Sequence, residues 1–222
     1  MVDFGKKTVY VDTNQFVYAR ASQFFEKRYR KLNYYKMGRE CIGVLRACQK
    51  TKVIVLSSMI SRIELQALHL DWSNRKRLIE LGLPAGFSLG EPRAEYTRTV
   101  QKLFTRAEKA AIYEELVRWF SSWRFSALVR WVDPSDIRHW GELTEVVLRY
   151  MPRAHIPDAL HLGAAIGLEC TKFLTTDTEL KSIIRSMQQD KQLRRELERD
   201  GLVSKGYGLP EPITNSKELL KV

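Results

Sequence analysis

Long apolar runs are missing from this chain. No stretch approaches the roughly 20 consecutive apolar residues that a membrane-spanning helix needs, so no membrane span is expected. Cysteine is scarce: Cys41, Cys48 and Cys170 are the three, without C-x-x-C spacing. Such a set excludes a disulfide framework and suits free thiols in a reducing cytoplasm. Histidine is scarce too, at four, and no His/Cys set has the spacing of a zinc site. Residues 1–10 carry charge but no apolar signal core with a small-residue cleavage site, so secretion is not expected. Acids are outnumbered, 26 Asp and Glu against 37 Lys and Arg, which leaves a net charge of +11. That excess favours a polyanionic partner such as nucleic acid. A generally basic, well-solvated surface is the plainer alternative.

What remains is an ordinary globular composition. With 222 residues, 44% hydrophobic and 28% charged, the chain suits one large domain, or one domain with insertions, around a real core. It shows no internal repeat. The organising stretch is residues 156–180, IPDALHLGAAIGLECTKFLTTDTEL. It reads as helix, strand, then the start of another helix. Pro157 suits a first helical turn, with Asp158 just after it. Gly163, Ala164, Ala165 and Gly167 keep that helix slim enough to lie close on a sheet. Residues 172–176 read as a short buried strand with Asp177 at its carboxyl end, where active sites of open α/β sheets lie. Each aspartate also suits a helix cap, so the case for chemistry depends on further acids converging there.

The rest of the chain repeats the pattern. Residues 8–11 form a β-rich run that ends at Asp12 and turns directly into a helix over 15–21. Asn14 stands close by in sequence. Residues 53–56 are unbroken apolar, as in a strand buried on both faces of a parallel sheet, and Ser57 or Ser58 suits a cap for the next helix. That helix carries Glu64, which an exposed position would explain equally well. Residues 126–132 read as a third strand, with Asp133 and Asp136 as caps for a helix over 137–150. A charged helix is expected over 179–200, and a short final strand near Leu202 and Val203. Between residues 20 and 52, ten Lys and Arg face two Glu, with aromatics interleaved. This mixture suits phosphate contact and base stacking, and Arg28, Arg30, Lys31 and Arg39 are candidate nucleic-acid contacts. Arg75 and Lys76 join them from a helical insertion over about 72–124, although most charge runs are solvated helix faces. Cys41, Val44, Leu45 and Cys48 share one stripe of a helix over 38–49.

Asp12, Glu64, Asp158 and Asp177 therefore make a candidate acidic cluster. Four carboxylates cannot share a small site without a compensating cation, and oxygen ligands suit Mg²⁺ or Mn²⁺. Such metals activate water for attack on phosphate. His161 follows Asp158 by three residues and reads as a packing histidine.

Four motifs, VYVDTN at 9–14, SSMISRIEL at 57–65, PDALHLGAA at 157–165 and FLTTDTEL at 173–180, occur in the order and spacing in which the chain resembles the PIN-domain nucleases. The resemblance implies a three-layer α/β/α sandwich with a mainly parallel central sheet, the whole chain forming a single PIN-like domain with the insertion at about 72–124 and a variable tail at about 201–222. It implies that Asp12, Glu64, Asp158 and Asp177 are the catalytic, metal-binding acids, with Thr176 or Asn14 in support. It further implies Mg²⁺- or Mn²⁺-dependent endoribonuclease activity, an RNA substrate and, among toxin-like relatives, a cognate antitoxin and a homodimer. The chain is longer than the compact toxins and does not match the family over much of 20–38, 72–124 or the tail. A non-catalytic nucleic-acid-binding protein and a nuclease acting on DNA remain the alternatives.

Overall fold

A computed structural model describes residues 7–24, 33–82, 104–121, 128–151 and 155–219. The chain divides into two compact units, residues 1–61 with 127–222, and residues 62–126. The first unit is an α/β sandwich around five parallel strands in the order β3-β2-β1-β4-β5. The strands are β1 (Thr8–Val11), β2 (Ile54–Ser58), β3 (Arg130–Val132), β4 (Lys172–Leu174) and β5 (Glu211–Ile213). Helices α1 (Thr13–Phe24) and α2 (Asn33–Lys50) connect β1 to β2, and α3 (Met59–Glu80) leaves β2. After β3 come a 3₁₀ turn (Pro134–Asp136), α5 (Trp140–Leu148) and α6 (Ile156–Gly167), then β4, α7 (Thr178–Gln189), α8 (Lys191–Arg199), β5 and α9 (Ser216–Leu219). Helix α4 (Arg106–Ser121) lies in the second unit. No helix among the described residues is long and apolar enough to cross a membrane.

Alternation along β1 and its neighbours sorts the two faces of the sheet. Tyr10, Leu56 and Phe173 are register partners across three strands and join the core with Leu162, Ala165, Ile166, Leu180 and Ile184 of α6 and α7. The rings of Tyr10 and Phe173 stack with centroids 5.5 Å apart. The Cys41, Val44, Leu45 and Cys48 stripe of α2 is buried as its spacing implies, and Phe16 of α1 meets Trp131 at 5.2 Å between ring centroids. Burial at both faces explains the unbroken apolar strands. Helices α5 and α6 come close enough that a Cβ on Gly163 would lie 2.7 Å from Thr144 Oγ1, and one on Gly167 would lie 2.6 Å from the Arg138 carbonyl oxygen in the turn before α5.

Several boundaries differ from the sequence reading. Ser57 and Ser58 end β2, and Ser58 directly precedes α3. The third strand is three residues long, with residues 126 and 127 outside the described residues and residues 128 and 129 outside the strand. The expected helix over 137–150 starts at Trp140, after the turn that Asp133 caps through Ser135 N–H. The expected helix over 179–200 is two helices, because the Asp190 side chain accepts from Gln192 and Leu193 N–H and starts α8 anew. The tail strand is β5, not residues 202–203. It adds to the β4 edge, where Lys172 Nζ reaches Glu211 Oε2 at 2.9 Å.

The second unit buries Leu65, Leu78, Leu116 and Trp119. Its helix α4 opens with a capping box: Thr105 Oγ1 accepts from Glu108 N–H at 3.2 Å, and Glu108 Oε2 accepts from Thr105 N–H at 2.7 Å.

Candidate functional site

The chain runs outward from β1 through β2 to β3, then crosses back to build β4 and β5 on the other side. The boundary between β1 and β4 is therefore the topological switch point, and the carboxyl ends of those strands flank the crevice where such sheets bind ligands. Asp12 follows the last residue of β1, and Thr175 the last residue of β4. The register that pairs Val11 with Leu174 sets them side by side, and Asp12 N–H extends the ladder to the Leu174 carbonyl at 3.1 Å.

Asp12 is 1% exposed. Thr175 Oγ1 donates to Asp12 Oδ2 at 2.9 Å, and Asn14 Nδ2 approaches the same oxygen at 3.5 Å. Thr175, itself fully buried, also accepts from the Asp177 N–H at 3.1 Å. One hydroxyl thus ties the carboxylate at the end of β1 to the backbone of the residue that starts α7. Asp177 caps that helix, its Oδ1 accepting from Leu180 N–H at 2.9 Å. Asp158 stands in the first turn of α6, just after Pro157 as its spacing implies. Its Oδ2 lies 2.7 Å from His155 Nδ1, with the Asp158 side chain 23% exposed and that of His155 66% exposed. Burial raises the Asp158 pKa. His155 opposes that shift, and the neighbouring Asp177 carboxylate adds to it.

The supporting threonine is Thr175, a residue the sequence reading passes over. Thr176 Oγ1 instead accepts from Gln15 Nε2 at 3.1 Å. The missing signal is register, because the letters TTD do not say which hydroxyl faces β1. Glu64 lies half-buried on the part of α3 that belongs to the second unit. Arg28, Arg30 and Lys31 fall outside the described residues. Arg39 is exposed on α2. In the second unit, Arg75 Nε pairs with Asp71 at 2.7 Å, and Lys76 is exposed. His161 is a buried, hydrogen-bonded histidine, as its sequence position suggests.

The donor set fits a hard divalent cation in kind, being carboxylate oxygens, with the Asp177 charge close enough to raise the Asp158 pKa. In arrangement it is more open: among the described residues no three His, Cys, Asp or Glu side chains stand together in a group able to hold a metal ion. The Asp177 charge acts on Asp158, and Thr175 joins Asp12 to the backbone of Asp177. Cysteine chemistry is disfavoured, since burial pushes the Cys41 and Cys170 thiols up to about 12 and that of Cys48 to about 11. A cavity of about 330 Å³ beside β3 is lined by Arg130, Arg138, Gly167 and Glu169. It touches the carboxyl end of α6, about ten residues and hence roughly 15 Å along the helix from Asp158. No family model, curated protein or solved structure matches the chain.

Proposed function

We propose that the chain is a Mg²⁺- or Mn²⁺-dependent endoribonuclease. One observation carries this reading: three aspartates occupy the carboxyl edge of a parallel sheet at its switch point, with the Asp177 charge raising the Asp158 pKa and Thr175 tying Asp12 to the Asp177 backbone. Asp158 and Asp177 would hold the cation, with Asp12 completing the set. When bound, the cation supplies water activation and stabilises the charge that develops on the phosphate. Thr175 fixes the Asp12 carboxylate through Oδ2. Asp158 is kept poorly solvated, which favours pairing its charge with a cation over leaving it alone. The net charge of +11 supports a polyanionic substrate held through its phosphates. The resemblance to PIN-domain toxins makes RNA the substrate, a cognate antitoxin and a second copy the partners, and the cytoplasm the setting.

A second reading, a non-catalytic nucleic-acid-binding protein, is favoured by the open spacing of the acids. Thermal unfolding with and without Mn²⁺ separates the two. A cation at 100 times its Kd stabilises the fold by about 2.7 kcal/mol, and the enzyme reading predicts a rise in Tm that Asp177→Asn diminishes. An unchanged Tm at millimolar Mn²⁺ supports the second reading.

A further inference from the structure

Behind the acidic edge runs a buried line of hydrogen bonds. Tyr10 Oη lies 3.1 Å from His161 Nδ1. His161 Nε2 lies 2.9 Å from Thr13 Oγ1. Thr13 Oγ1 donates to Ser61 Oγ at 3.0 Å. Ser57 Oγ lies within hydrogen-bond distance of both Ser61 Oγ, at 2.9 Å, and the Val11 carbonyl, at 3.0 Å. All five residues are at most 4% exposed.

A threonine hydroxyl has one proton. With that of Thr13 given to Ser61, His161 Nε2 carries N–H and donates to Thr13. In a neutral imidazole Nδ1 is then the acceptor, and it takes the Tyr10 hydroxyl proton.

The line joins the elements that carry the acids. Tyr10 and Thr13 bracket Asp12, while His161 sits one helical turn beyond Asp158 on α6. Ser57 ends β2, and Ser61 is in the first turn of α3. A leucine would fill the His161 site without the cost of burying two ring nitrogens. We propose that His161, as the neutral Nε2–H tautomer, is a positioning residue that sets α6 against the end of β1 and so fixes Asp158 relative to Asp12. This rests on the metal-site reading for its consequence, but not for its geometry.

Two measurements on the full chain test it. The first is ¹⁵N NMR of histidine-labelled, metal-free protein at pH 7, together with the Asp12 ¹³Cγ resonance in native protein and in His161→Leu. The expected result is a protonated Nε2, an unprotonated Nδ1 and a displaced Asp12 resonance in the variant. An Nδ1–H tautomer, an imidazolium, or an unmoved Asp12 resonance overturns the proposal. The second is Mn²⁺ affinity. Loss of a supporting contact behind a metal ligand typically weakens binding about 10- to 100-fold. That loss is expected in folded His161→Leu and in Thr13→Val, with recovery in His161→Gln, which keeps an N–H for Thr13. Folded variants that bind Mn²⁺ like the native chain overturn it. If native protein binds no Mn²⁺, the enzyme reading falls, and the NMR measurement alone decides the role of His161.

Discussion

Replacing Thr175 by valine keeps the shape of the side chain and removes its hydroxyl. Two bonds go with it: the donation to Asp12 Oδ2 and the acceptance from Asp177 N–H. The first serves a carboxylate that is 1% exposed, and hydrogen bonds to charged groups contribute about 1.5–3 kcal/mol. The second leaves a partly buried backbone N–H unpaired, at about 1 kcal/mol or more. Thr175→Val should therefore cost about 3 kcal/mol, or roughly 6–12 °C in Tm for a chain of this length. Thr175→Ser keeps the hydroxyl and loses one methyl, at about 1 kcal/mol. Urea denaturation of the native protein and both variants reads the difference. If serine and valine lose equal stability, the methyl group matters and the hydroxyl does not, and the link from β4 to Asp12 is refuted.

Other consequences follow from the same geometry. Gly167→Ala should destabilise by about 1–3 kcal/mol through its clash with the Arg138 carbonyl, whereas Gly43→Ala, with nothing within 4 Å, should gain up to about 1 kcal/mol from helix propensity. Equal changes in chemical denaturation would contradict the close packing of α6 on the turn that leads into α5. Because the folded protein raises the pKa of Asp158, its ionised form opposes folding. That cost is absent below the unfolded value near 4 and is fully present once the pH exceeds the folded value. Metal-free Asp158→Asn should therefore be more stable than the native chain at pH 7, with the gap closing in acid. A variant less stable at pH 7 would contradict this.

Much of the sheet was legible because its strands are short apolar runs that end in an acid or a serine. Asp12, Asp158 and Asp177 stood out for the same reason, each at the start of a helix beside a strand. Register was not legible. Which threonine of Thr175 and Thr176 faces β1 depends on the pairing of Val11 with Leu174, a contact between residues 163 apart. The line through Tyr10, His161, Thr13 and Ser61 is hidden likewise, since each residue reads as ordinary core or cap until four elements meet. Strand β5 escaped notice because Glu211-Pro212-Ile213 is an edge segment with one fully buried side chain, so it has no apolar run. The break at Asp190 lies within a uniformly charged stretch where the cap resembles its neighbours.

The central claim is tested most directly by incubating purified protein with a mixed RNA pool, and with matched single-stranded DNA, in Mn²⁺, in Mg²⁺ and in EDTA, alongside Asp12→Asn. The account predicts RNA fragments that require the divalent ion and are absent with the folded variant. Intact RNA under every condition, still bound in a salt-sensitive way, or equal cleavage by Asp12→Asn, would contradict it.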